Sequence, residues 1–332
     1  MLTVSVLSLS TASSAEIAIG VGISVRIGPP ALPVYAQPIC PGPGYLWTPG
    51  YWAWSDVNGY YWVPGTWVVA PVGMLWTPGY WGFAGGFYGW HAGYWGPHIG
   101  FYGGINYGFG YGGVGFAGGE WRGGAFFYNR AVMNVNVTNV RNVYNRTVVV
   151  NNTHVAFNGP GGIEARPTPQ EEAYGREQHT AALGAQTEHE RAASQNRQLF
   201  ASENHGRPAI AATVRPGGFS GRNVARASAA GEPYREPKMS PQEARGTAAD
   251  NRAGNRGFNE PVRNGGNSNS SSSSSDRSVT RPENDGAGSR GQTSSLDNPK
   301  PNPKPSKQEK QAQKKAQKQA KAEQKRQARE DR

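Results

Sequence analysis

The chain has 332 residues, enough for two ordinary domains, but its 46 Gly, 25 Pro and aromatic-dominated apolar content exclude a pair of large aliphatic cores. Its formal net charge of +11 is not spread evenly: the first 150 residues carry five Arg against Glu16, Asp56 and Glu120, whereas Lys300–Arg332 carries twelve basic and four acidic residues. The basic balance is therefore a property of the tail, and the single cysteine, Cys40, excludes any intrachain disulfide.

The opening MLTVSVLSLSTASSAEIAIG reads as the apolar core and cleavage region of a secretory signal peptide over residues 1–15. Small Ser13 and Ala15 sit at the offsets needed for cleavage before Glu16. The usual positive stretch ahead of the apolar core is missing, so two alternatives stand beside export: a start further upstream, or a buried first strand. Residues 16–44 combine a predicted strand, EIAIGVGISVRIG (16–28), with a Pro-rich connector. Cys40 lies in that connector and is a poor site for lipid attachment, because no apolar run leads into it and Ile39 rather than a small residue precedes it. No later stretch of about 18 apolar residues predicts a membrane-spanning helix.

Residues 45–95 hold an internal repeat, Trp-x-x-Gly-x-Trp, in four copies: Trp47–Trp52, Trp62–Trp67, Trp76–Trp81 and Trp90–Trp95. Starts 14 or 15 residues apart suit one strand plus one turn. The aromatic flanks YWAW and YYWV favour strands, and the intervening SDVNG, APVG and AGG supply turn chemistry. Opposite residues of an antiparallel hairpin have a constant index sum. Trp47 with Trp67, Trp52 with Trp62 and Trp54 with Tyr60 share 114. Trp62 with Trp81 and Trp67 with Trp76 share 143, and Trp76 with Trp95 and Trp81 with Trp90 share 171. One four-stranded meander satisfies every pairing at once and sets two Trp rows across the sheet. Two Trp five residues apart point to opposite faces of a regular strand. A bend or bulge at Pro49-Gly50, Pro64-Gly65 and Pro78-Gly79 is therefore expected to bring both rows to one face. The fourth copy has His91-Ala92-Gly93 there, so a weaker bend is expected.

Residues 96–130 are Gly- and aromatic-rich, read as a loosely ordered cover for the Trp sheet, with a self-associating adhesive segment as the alternative. Residues 131–160 mix Val and Asn and are part strand, part undecided. In 161–216 two polar helical stretches are expected: one capped by Thr168 with Pro169 first and Glu171 as capping-box partner, and one following Thr187. Residues 217–305, with their Ser run at 270–275, have a disordered composition. The Ala/Gln/Lys-rich 306–332 should form a lone basic helix.

Catalysis finds little material, and none is expected. Asp56 and Glu120 are the only carboxylates of the aromatic region, and Asp56 sits in a predicted turn. Cys40 has no His partner, and His91 and His98 have no second pair converging on them for a metal. GYGGVGFAGG lacks the Lys and the strand–helix context of a phosphate loop. No cofactor is expected. Two features could bind something. The Trp set (Trp47, Trp52, Trp62, Trp67, Trp76, Trp81, Trp90 and Trp95) is either the core of a small sheet or an exposed platform for sugar rings or organic cations. The 300–332 tail is a solvated spacer or a grip on anionic envelope polymers or nucleic acid, without aromatics for base stacking.

With its four units in view, the chain resembles the WXXGXW (or YXWGXW) repeat family of bacterial exported proteins; YLWTPGYWAW and YYWVPGTW carry the likeness, over about residues 45–95. The resemblance implies secretion to the periplasm or outer membrane and brings no established activity, ligand or catalytic residue. Some members are lipoproteins, and Cys40 departs from their pattern. The expectation is an all-β, Trp-rich antiparallel meander of four short strands, followed by a long, mostly disordered C-terminal half with short polar helices. Its expected role is a non-catalytic, exported envelope protein, periplasmic, outer-membrane-associated or extracellular. A glycan- or peptidoglycan-binding module is the runner-up, and polyanion binding by the tail is third.

Overall fold

Two of the predicted turns close hairpins in the computed structural model, which describes residues 23–148 and 153–247. Residues 1–264 and 265–332 form separate units, and everything described lies in the first. Two short strands, β1 (Ser24–Val25) and β2 (Val34–Tyr35), precede the repeats. The first hairpin ascends through β3 (Tyr45–Thr48) and β4 (Tyr51–Ser55) and returns through β5 (Gly59–Val63) and β6 (Gly65–Val69). The second ascends through β7 (Leu75–Thr77) and β8 (Tyr80–Ala84) and returns through β9 (Phe87–His91) and β10 (Tyr94–Gly96). Its turn is Gly85-Gly86, at φ 60° and 86°, the two positive φ values that a type I′ hairpin turn demands. Register follows the index sums within each hairpin: Trp47 faces Trp67 and Trp52 faces Trp62, while Trp76 faces Trp95 and Trp81 faces Trp90.

The middle hairpin of the expected meander does not form. Neither Trp62 with Trp81 nor Trp67 with Trp76 is a strand pair, because other strands occupy the edges that would have joined. Ala212–Thr213 runs parallel along β6, pairing with Gly65 and Thr66. Phe157–Asn158 runs parallel along β8, pairing with Trp81 and Gly82. The two hairpins meet through side chains instead. Trp81 Nε1 donates to Trp52 O at 2.7 Å, and Tyr60 packs edge-on against Trp81 at 5.3 Å. The architecture is thus two hairpins packed together, each with its own two Trp pairs.

Every repeat interrupts its strand at the Gly or the residue before it, and this explains the motif. At each interruption the glycine lies flat under an indole from the partner copy. Trp62 covers Gly50 and Trp47 covers Gly65; Trp90 covers Gly79 and Trp76 covers Gly93. A Cβ on Gly65, Gly79 or Gly93 would lie only 2.5–2.6 Å from that indole's Cζ2, and one on Gly50 would lie closer still. The first Trp of each copy therefore needs the Gly of its hairpin partner, and the relation is reciprocal. The fourth copy breaks as the first and third do, at Ala92-Gly93, so the expectation of a weaker bend fails. The indole approach, with glycine beneath it, sets the break; proline does not.

Interrupted strands leave backbone groups without ladder partners, and these must be paired elsewhere. Later segments pair them. Tyr107 Oη donates to Gly79 O at 2.6 Å, and Tyr111 Oη donates to Trp76 O at 2.8 Å and Trp47 O at 3.4 Å, bridging both hairpins. Gly65 N donates to Ala211 O at 3.1 Å. The Gly/aromatic segment is accordingly an ordered cover, with Tyr102, Tyr107 and Tyr111 buried and small antiparallel pairs at 106–112 and 119–129. Of the Val/Asn segment, Val143–Tyr144 joins Tyr128–Asn129 in parallel.

Two helices follow. α1 (Pro169–Tyr174) has the expected capping box, with Glu171 N donating to Thr168 Oγ1 at 3.2 Å and Thr168 N to Glu171 Oε2 at 2.9 Å. α2 (Gly184–Ser194) begins three residues before Thr187 and packs on β5. Residues 217–247, expected to lack structure, contribute strands at Val224–Ala225 and Ala227–Ala229, the latter pairing with β2. Composition hid them because they bury little themselves and are held by main-chain bonds to strands already formed. The predicted signal peptide, the Ser run, the residues from 248 to 305 and the basic tail helix lie outside the described residues.

Candidate functional site

Seven of the eight repeat Trp are buried; Trp90 is the half-buried exception. Cross-strand indoles meet at 5.3 Å for Trp47–Trp67, 5.2 Å for Trp52–Trp62, 5.4 Å for Trp76–Trp95 and 5.3 Å for Trp81–Trp90, all edge-on or tilted. Such geometry is favourable for quadrupolar rings. Several ring N–H groups are also engaged: Trp52 donates to Ala31 O, Trp62 to Ala211 O, Trp67 to Pro38 O and Trp95 to Gln186 Oε1, at 2.7–3.2 Å, whereas the buried Nε1 of Trp47 has no hydrogen-bond partner among the described residues. The eight side chains are thus brought together as four cross-strand pairs, seven of them in the core, and the first Trp of each copy also lies against a partner-copy glycine. They do not form a contiguous exposed row.

The space that the repeats enclose is a cavity of about 100 Å³ where the four strand breaks meet. Pro49, Pro64, Pro78 and Ala92, the residue before Gly in each copy, all line it, as do Tyr51, Trp76, Trp90 and Tyr107. α2 closes one side with Gln186, His189 and Glu190. Ala92 is exposed, and Trp90 and Glu190 are half-buried, so the opening lies on the side of the fourth copy. There Trp90 stacks on Tyr51, 5.0 Å between centroids and 17° from parallel.

The electrostatics of this wall follow from burial. His189 Nδ1 accepts from Gly217 N at 2.8 Å, which leaves the proton on Nε2 to donate to Pro64 O at 2.9 Å. Protonation would put a second donor against Gly217 N, and burial pushes the imidazole down to about 4. His189 is a neutral clamp on the second repeat. Glu190 is the only carboxyl among the described residues lining the cavity. Desolvation raises its pKa, while the Tyr51 and Tyr61 hydroxyls turned toward it partly oppose that shift.

The other sequence candidates are placed apart. Cys40 is buried, its Sγ 3.2 Å from Gly42 O, and desolvation pushes the thiol up to about 11, which leaves no thiolate at neutral pH. His91 stacks on Tyr80 at 4.4 Å, and burial holds it at about 4. His98 instead pairs with Glu177 at 3.0 Å and stacks on Tyr174. Among the described residues, no group of three or more His, Cys, Asp or Glu is placed to hold a metal. No described helix is long and apolar enough to cross a membrane.

Sequence reasoning missed Tyr51, Ala92 and Glu190 as a group. One signal was present: Ala92 stands where the other three copies have proline. The contribution of α2 carried no local signature, since Glu190 is one of two acidic residues, with Glu188, in a polar helix.

No curated protein and no solved structure matches the chain. Residues 42–68, which span the first hairpin, match the family described as WXXGXW repeat (2 copies), and the chain is accordingly a carrier of the WXXGXW repeat.

Proposed function

We propose that this chain is a non-catalytic, exported structural and interaction protein of the Gram-negative cell envelope, built on its Trp-repeat hairpins. One observation carries the reading: seven of the eight repeat indoles are buried, each packed on its cross-strand Trp, and the first Trp of each copy also covers a partner-copy glycine. Side chains used in this way stiffen a scaffold and present no stacking surface to a sugar ring. The signal-like opening at residues 1–15 supports export, and the net charge of +8 over Lys300–Arg332 supports contact with anionic envelope polymers.

Two measurements test the proposal. Full-length chain expressed in a Gram-negative host should fractionate with periplasm or outer membrane and begin at Glu16; cytoplasmic retention with residues 1–15 intact overturns export. Peptidoglycan and polysaccharide fragments should leave the Trp fluorescence unchanged. A saturable response would replace the scaffold reading with a glycan-binding one.

A further inference from the structure

We infer that the cavity at the four strand breaks is a binding site for a small organic ammonium group, held between the Trp90–Tyr51 pair and the Glu190 carboxylate. The inference goes beyond the scaffold role and does not depend on export. It starts from where a repetitive array departs from its own rule. Three copies place proline before glycine, and the fourth places Ala92, which is exposed. Seven repeat Trp are buried, and the eighth, Trp90, is not. Both departures lie on the same side of one cavity, which is also the side lined by Glu190. A purely structural array has no reason to gather its exceptions in this way.

The chemistry of the wall selects the ligand. No Lys or Arg lines the cavity, and His189 is fixed neutral by two backbone hydrogen bonds, so nothing there attracts an anion. The aromatic side chains of Tyr51, Trp76, Trp90 and Tyr107 line the cavity together with one carboxyl, Glu190. A partly desolvated carboxylate attracts a cation, an aromatic wall adds to that attraction, and both effects grow where water is excluded. A weakly hydrated ammonium carrying carbon satisfies both, whereas a metal ion would find one ligand only. About 100 Å³ is small beside the roughly 300–1,000 Å³ of drug-sized pockets, which restricts the occupant to a head group.

The test is titration of the full chain with methylammonium and with choline, followed by Trp fluorescence and calorimetry. 3,3-Dimethyl-1-butanol serves as the neutral isostere of choline. At least one cation should give a saturable response that the alcohol does not. Glu190→Gln, which keeps the shape of the side chain, should weaken it at least tenfold with an unchanged near-UV circular dichroism spectrum. Ala92→Pro, which gives the fourth copy the residue of the other three, should weaken it similarly by narrowing the opening. No saturable response to either cation overturns the inference. So does equal binding of the alcohol, or full affinity in Glu190→Gln or in Ala92→Pro.

Discussion

Adding one methyl group at Gly65 tests why the repeat carries glycine at its fourth position. In Gly65→Ala the new Cβ would sit 2.5 Å from Trp47 Cζ2 and 2.9 Å from Gly50 N. The indole belongs to a fully buried Trp already packed on Trp67, and the other neighbour is backbone, so neither yields cheaply. Overpacking of a filled site costs about 1–3 kcal/mol, and contact with both a buried ring and main chain puts this case at the upper end. For a folded body of this size, each kcal/mol lowers Tm by about 2–4 °C, so a drop of about 5–10 °C is expected by calorimetry. Gly184→Ala is the control: nothing lies within 4 Å of its Cβ and it opens α2, so its Tm should hold or rise slightly. In a Trp47→Phe background, where the far edge of the indole is gone, the penalty at Gly65 should shrink by about 1 kcal/mol or more, the coupling expected of residues in contact. A Gly65→Ala protein that melts with the wild type would refute the reasoning. Strictly additive penalties for Gly65 and Trp47 would refute it equally.

Three further outcomes follow from the same structure. His91 and His189 both have pKa values lowered from 6.5 to about 4, so the unfolded chain binds the extra protons first. Their contribution is fully present above pH 6.5 and is lost as pH falls to 4, at about 3 kcal/mol per residue. Urea denaturation at pH 7 and pH 4 should show this, and His189→Gln should remove about half of the histidine-dependent loss. Tyr111→Phe deletes one hydroxyl that bonds both Trp47 O and Trp76 O; leaving these buried acceptors less satisfied should cost about 1–3 kcal/mol in chemical denaturation. Cys40 should react with a thiol reagent at neutral pH only after denaturant is added, given its burial and elevated pKa, and rapid labelling of the native chain would contradict its placement.

What was legible in the residues was everything that a local pattern determines. Asn58-Gly59 and Gly85-Gly86 mark reversals, and the paired Trp then set the register of each hairpin without ambiguity. The Thr168-Pro169-Glu171 cap was equally readable, because capping depends on three nearby side chains. The choice of edge partner was not. Trp62 opposite Trp81 satisfies the same arithmetic as the four pairs that form, and nothing in that arithmetic reports competition. The winning partners, Ala212–Thr213 and Phe157–Asn158, are two-residue strands with no periodicity of their own. They are recruited by main-chain hydrogen bonds, which side-chain patterns do not advertise. The cavity escaped notice for a related reason: Ala92 and Glu190 are 98 positions apart, and only the packing of α2 on the first hairpin and the pairing of the hairpins unite them.

The reciprocal cover of each glycine by its neighbour's indole has a consequence for how such chains can grow or shrink. A lone copy would carry an indole with no flat seat and a glycine with no roof, so it could not complete itself. The smallest piece that can be gained or lost without leaving such loose ends is a whole hairpin, and the number of copies should change by twos.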